Sequence, residues 1–196
     1  PDRGLVFRAF HEVMPDEARL IVVGQDPYPQ QDPSNRGAGI ADGLSFSARG
    51  HEPPPSLRHI LYNMWTSGVI LTPPGSADLQ GWANQGVLLL NTALSVEPSA
   101  NAAIRTRNRK RHQAVYRDLL WATLKYLSRP SGSEPAFLLL GEFARGFTPA
   151  IRNPKPGQVV ALNHPSREPW PEPGGEPLPF VRLNTYLGKR AIDWQL

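Results

Sequence analysis

Four short runs of apolar residues stand out against a polar, turn-rich background: Leu20 to Val23, Val87 to Leu90, Phe137 to Leu140 and Val159 to Leu162. Each has the length of a strand buried on both faces, where the usual alternation disappears because neither side meets water. Between them, apolar positions recur with helical spacing. Leu57, Ile60, Leu61 and Met64 follow Ser56, which stands behind Pro53-Pro54-Pro55 in the position of a helix N-cap. Val115, Leu119, Leu120, Leu124 and Leu127 form a second stripe after a basic cluster. Continuous apolar strands alternating with helices predict an α/β fold. The expected architecture is one domain over residues 1–196, with a central, mostly parallel four-stranded sheet flanked by helices on both faces.

Turn formers fill the remainder, notably Pro29 to Gly43, Gly50 to Pro55, Thr72 to Gly81 and Pro165 to Pro179, and no internal repeat or linker divides the chain. The residues just beyond each apolar run matter most, because ligands of open parallel sheets bind outside the carboxyl ends of the strands. All four ends are polar: Gly24-Gln25-Asp26, Asn91-Thr92, Gly141-Glu142 and Asn163-His164-Pro165-Ser166. A carboxylate, a carboxamide and an imidazole are therefore expected to converge at one rim, which is the constellation of a catalytic site.

Composition narrows the chemistry. At 196 residues and 40% hydrophobic content the chain is long enough for one filled core. The absence of cysteine excludes disulfides, thiolate zinc sites and cysteine-held iron–sulfur clusters. No apolar run approaches bilayer length and the first residues lack the order of a secretory signal, so a soluble, cytoplasmic protein with no membrane partner is expected. The net charge of +4 and the cluster Arg105, Arg107, Arg109, Lys110 and Arg111 permit polyanion binding, although such a run is more often a solvated helix face. A Gly-rich dinucleotide fingerprint and a P-loop lysine motif are both missing.

Five segments, in order, resemble motifs of the uracil-DNA glycosylase superfamily. They are Gly24-Gln25-Asp26-Pro27-Tyr28, Gly43-Leu44-Ser45-Phe46-Ser47, Pro53-Pro54-Pro55-Ser56-Leu57, Gly86 to Thr92, and His164-Pro165-Ser166. The chain is most similar to family 1, which places an aspartate after the Gly-Gln pair and carries no cluster cysteines. The resemblance spans nearly the whole chain. It implies a monomeric, monofunctional hydrolase without cofactor or metal, acting on uracil in single- or double-stranded DNA and leaving free uracil and an abasic site.

Cleavage of an N-glycosidic bond develops positive charge on the sugar and negative charge on the departing base. A carboxylate belongs near the sugar and its attacking water, and a hydrogen-bond donor near the uracil oxygen. By resemblance these are Asp26 and His164, the latter as a neutral imidazole. A base inside duplex DNA must be extruded into a pocket that stacks on its face and reads its Watson–Crick edge. Phe46 resembles the stacking residue, although alone it suits a core as well as a pocket. Asn91 resembles the amide that contacts O4 and N3–H, and Gln25 is expected to contribute backbone contacts. Tyr28 resembles the ring that excludes the thymine methyl. Ser56, Ser166 and Arg167 are expected to meet DNA, the two serines at phosphates.

The pattern also breaks. Where family 1 has histidine after the tyrosine, this chain has Pro29, and the connection from Pro29 to Asp42 is lengthened by Gln30 to Arg36, read as an extra DNA-facing loop. Glu168 occupies the position of the wedge leucine, so Arg167 or Trp170 is expected to take over the wedge by stacking on bases. Glu142 stands where a phosphate-contacting serine is usual. With no lysine at a matched catalytic position, strand cleavage through a Schiff base is not implied. Pro29 and Glu168 keep open a second reading, a weakly catalytic or non-catalytic protein that binds damaged DNA or abasic sites on the same scaffold.

Overall fold

The computed structural model describes the chain apart from residues 33–37, 51, 74, 98–100 and 167–178. All four apolar runs form strands: β1 (Leu20–Gly24), β2 (Val87–Asn91), β3 (Ala136–Leu140) and β4 (Val159–Leu162). They pair in parallel in the order β2-β1-β3-β4, with Leu20 opposite both Val87 and Ala136, and Phe137 opposite Val159. Every residue of β1, β2 and β3 is buried. Because strand side chains point alternately to the two faces, complete burial means that both faces are covered.

The cover comes from α1 (Arg8–Glu12), α2 (Pro55–Thr66), α3 (Gln80–Ala83), α4 (Ala102–Leu127), α5 (Glu142–Arg145) and α6 (Pro179–Leu187). Leu57, Ile60, Leu61 and Met64 of α2 are all buried, as their spacing predicts. Phe137 of β3 and Phe180 of α6 are among the largest fully buried side chains. From β1 the chain moves to β2 on one side, and from β3 to β4 on the other. The carboxyl ends of β1 and β3 therefore flank the crevice where the winding direction reverses, the favoured place for a ligand in such a sheet.

Two helices differ from expectation. Ser56 is not the N-cap of α2: Pro54 holds the cap position, Pro55 is the first helical residue and no side chain caps the turn. Proline suits the first helical position because its fixed φ is already helical and its missing N–H would have had no partner there. Ser56, one residue inside the helix, is thereby turned toward the cleft it lines. The second difference is the length of α4, which begins before the basic cluster and contains it. Asn101 caps it, accepting from the N–H groups of Ala103 at 2.9 Å and Ile104 at 3.2 Å. Only Leu120, Leu124 and Leu127 of the expected stripe reach the core; Val115 is 71% exposed and Leu119 40%. The N-terminal half of α4 runs along the rim of the sheet, where its contacts are polar.

The base of the lengthened connection is ordered by pairing. Gln31 bridges Gly39 antiparallel, the Asp32 N–H donates to the Ala38 carbonyl at 2.8 Å, and the Ile40 N–H to the Gln30 carbonyl at 3.0 Å. Pro33, Ser34, Asn35 and Arg36 lie outside the described residues, as do Arg167, Glu168 and Trp170 with the expected wedge. Among the described residues no helix is long and apolar enough to cross a membrane.

Candidate active site

Beyond β1 the chain passes through Gly24, whose lack of a side chain is a requirement of the site. A Cβ there would stand 2.6 Å from Asn91 Oδ1, 2.9 Å from the Phe46 ring and closer still to Ser45 Oγ. Only glycine lets these three side chains meet over the strand end. Asp26 follows, its side chain 13% exposed, with both carboxylate oxygens engaged: Gln25 Nε2 donates to Oδ1 at 2.8 Å and Arg109 Nε to Oδ2 at 2.8 Å. The Gln25 carbonyl accepts from Thr92 Oγ1 at 2.6 Å and from the Ala93 N–H at 3.1 Å, which ties the ends of β1 and β2 together.

Asn91 closes β2 and is buried, with its Oδ1 accepting from Ser45 Oγ at 2.9 Å. One lone pair of Oδ1 and the whole NH₂ group remain to read a ligand. That combination matches an imide edge, an acceptor O4 beside a donor N3–H. It mismatches cytosine, which presents a donor and an acceptor in the reverse places.

Phe46 is buried, lines the inner recess with Asn91, Tyr28 and His164, and sits at φ 65°, a conformation that costs a non-glycine residue about 1 kcal/mol or more. The surrounding bonds hold it there. Buried Asp42 accepts from the Leu44 N–H at 3.1 Å and from Ser47 Oγ at 2.7 Å, and forms an ion pair with Arg8 at 3.0 Å. The Ser45 N–H donates to the Leu89 carbonyl at 3.0 Å. Tyr28 OH donates to the Phe46 carbonyl at 3.0 Å, and burial pushes the Tyr28 phenol well above its ordinary pKa, so it remains a donor.

On the opposite side His164 faces Phe46, ring centroids 6.3 Å apart and tilted by 44°. The backbone N–H of Ser166 donates to His164 Nδ1 at 3.2 Å and Ser166 Oγ lies 2.8 Å from the same nitrogen. An N–H can only donate, so Nδ1 is the acceptor and the imidazole proton resides on Nε2. Gly141, at φ 98°, packs against the histidine; a Cβ there would lie 3.3 Å from His164 Cβ and Cδ2. His59 of α2 pins the His164-Pro165-Ser166 turn, its Nδ1 donating to the Pro165 carbonyl at 2.6 Å.

An outer cleft of about 470 Å³ opens in front of the recess, lined by Asp26, Ser56, Arg109, Arg145, His164 and Ser166 among others. Pro29 and Glu142 lie on its wall as well. The structure thus brings together Gln25, Asp26, Tyr28, Phe46, Asn91, Ser56, His164 and Ser166, while Arg167 is outside the described residues. Sequence reasoning missed Asp42, Ser45 as the partner of Asn91, His59 and the pairing of Arg109 with Asp26. For Arg109 the only signal was the charge cluster. Among the described residues no three His, Asp or Glu side chains are grouped to hold a metal ion.

The fold and the site define an α/β enzyme whose polar groups stand on the carboxyl ends of a parallel sheet, around one recess. Comparison with known proteins gives the family. The profile of the uracil DNA glycosylase superfamily matches residues 11–171. A uracil-DNA glycosylase of Dichelobacter nodosus is 35% identical over 204 residues, covering 100% of this chain and 80% of that protein. One of Lactobacillus acidophilus is 35% identical over 203 residues, covering 100% and 78%. In fold the chain is similar to the crystal structure of mimivirus uracil-DNA glycosylase, with TM-score 0.76 and 22% identity over 100% of this chain and 74% of that one. The chain belongs to the uracil-DNA glycosylase superfamily.

Proposed function

We propose that this protein hydrolyses the N-glycosidic bond of deoxyuridine in DNA, releasing free uracil and leaving an abasic site. The observation that carries the reading is the convergence of Asp26, Asn91 and His164, from the ends of three strands, on one recess walled by Phe46 and Tyr28. An extruded uracil stacks on Phe46 and presents O4 and N3–H to Asn91. Tyr28 occupies the space beside C5 and keeps out a methyl group. As the bond lengthens, charge accumulates on the uracil oxygen that His164 Nε2–H meets, and the Asp26 carboxylate supports the cationic sugar and orients the water that attacks it. Ser56 and Ser166, at the mouth, suit the flanking phosphates, and the chain acts as a monomer on single- and double-stranded substrates.

The test is release of free uracil from a uracil-containing oligonucleotide in the presence of a chelator. Stoichiometric uracil and an alkali-labile abasic site are expected from both strand forms. Absence of release from either, or wild-type rates for Asp26→Asn, would overturn the reading.

A further inference from the structure

The carboxylate of Asp26 belongs to a closed ring of contacts that α4 completes. Arg109 Nε donates to Asp26 Oδ2 at 2.8 Å, and Gln25 Nε2 to Oδ1 at 2.8 Å. Thr92 Oγ1 donates to the Gln25 carbonyl at 2.6 Å, and Gln113 Nε2 donates to that same Thr92 oxygen at 3.1 Å. Arg109 and Gln113 are separated by one turn of α4, which stacks their side chains on one face and closes the ring through the helix backbone. On the adjoining stripe of the same helix, His112 Nδ1 and Tyr116 OH both meet Ser95 Oγ, at 2.8 and 3.0 Å. The helix is thus pinned to the loop after β2 at successive turns. Arg109 is presented to Asp26 from an element of fixed register.

We propose that Arg109 is a positioning residue for uracil excision, holding the Asp26 carboxylate in the orientation the sugar and the attacking water require, with Gln113 keeping α4 in register. The proposal rests on the reading of Asp26 as the catalytic carboxylate. Pro29, the residue after Tyr28, has neither a side-chain donor nor a backbone N–H to give, and the charged donor to Asp26 comes instead from a distant helix. A cation beside the carboxylate weakens its pull on a cationic sugar. At 35% side-chain exposure, however, water screens much of that penalty, while the geometric restraint is undiminished. Arginine suits the place because contact through Nε alone leaves both Nη nitrogens to donate elsewhere in the cleft shared with Ser56 and Ser166.

The test is single-turnover excision from a uracil oligonucleotide as a function of enzyme concentration, which separates the maximal rate from half-saturation. Arg109→Met is expected to lower the maximal rate on the order of 10²-fold. Half-saturation should change by less than about threefold. Arg109→Lys should restore most of the rate, because one donor suffices at Oδ2, and Gln113→Leu should fall in between. The double variant Asp26→Asn with Arg109→Met should be no slower than Asp26→Asn alone, since both act through one group. If Arg109→Met unfolds, Arg109→Gln takes its place with the same expected direction. A maximal rate untouched by loss of Arg109, or losses that multiply in the double variant, would overturn the positioning role. Wild-type rates for Asp26→Asn would instead overturn the catalytic reading itself.

Discussion

Ser45 Oγ donates to Asn91 Oδ1 at 2.9 Å, and this contact fixes which way a buried amide faces. Without it the amide is free to turn over and present donor and acceptor in the wrong places. Ser45→Ala is expected to slow uracil excision about tenfold, the worth of one hydrogen bond to a buried polar group. The margin between uracil and cytosine should narrow. Matched oligonucleotides carrying one or the other base measure both effects, and unchanged rates on both would show that Asn91 needs no such partner.

Tyr28 separates size from polarity. Its ring is half-buried beside the recess and its hydroxyl is spent on the Phe46 carbonyl. Tyr28→Ala should allow excision of thymine, which the parent protein is expected to reject. Tyr28→Phe should still reject thymine but lose about 1 kcal/mol of stability with the hydrogen bond. Thymine release by the parent at a rate near that for uracil would end the case for steric exclusion.

Gly24 is a tight point of the site. A methyl group there meets the side-chain ends of Ser45, Phe46 and Asn91 together, and all three are buried, with Ser45 and Asn91 hydrogen-bonded to each other. Gly24→Ala should abolish excision and cost about 1–3 kcal/mol, as overpacking usually does. Thermal unfolding and activity measured on the same preparation provide the check; a stable, active variant would mean that the strand end moves.

Away from the site, Lys155 Nζ lies 2.9 Å from Glu134 Oε2 and holds the Glu134 carboxyl at a pKa of about 2, well below its ordinary range. A depressed carboxylate stabilises the fold above the unfolded-state pKa and loses that contribution as pH falls through the folded value. Glu134→Gln should therefore lower the unfolding temperature at neutral pH, with the difference from the parent closing between pH 4.5 and about 2. A difference that persists at the acid end would assign the effect to packing.

The strands were legible because burial on both faces leaves an unbroken apolar run, and the site was legible where a polar residue followed such a run, as at Asp26, Asn91 and His164. Ser56 was misread as a cap because a serine before an apolar stripe carries that signal, whereas the adjacent Pro55 settles where the helix begins. The true extent of α4 was hidden, since its first turns are held by polar contacts to Thr92, Ser95 and Asp26 and carry no apolar period. Arg109 and Asp26 are 83 residues apart, and a cluster of five basic side chains does not say which of them turns inward. Asp42 was lost among turn formers, where an aspartate before glycine looks ordinary although here it organises Leu44, Ser47 and Arg8.

The parallel register that sets Gly24 opposite Asn91 also makes the constellation indifferent to what happens between the strands. Neighbouring strand ends stand about 4.8 Å apart whatever the length of the loop that joins them. An insertion such as Gln30 to Arg36 can therefore accumulate without displacing Asp26 from Asn91. A single-residue slip of β2 would instead turn Asn91 to the far face of the sheet. Change in this protein is cheap by insertion and costly by shift, and its loops are where new DNA contacts can be tried while the chemistry stays in place.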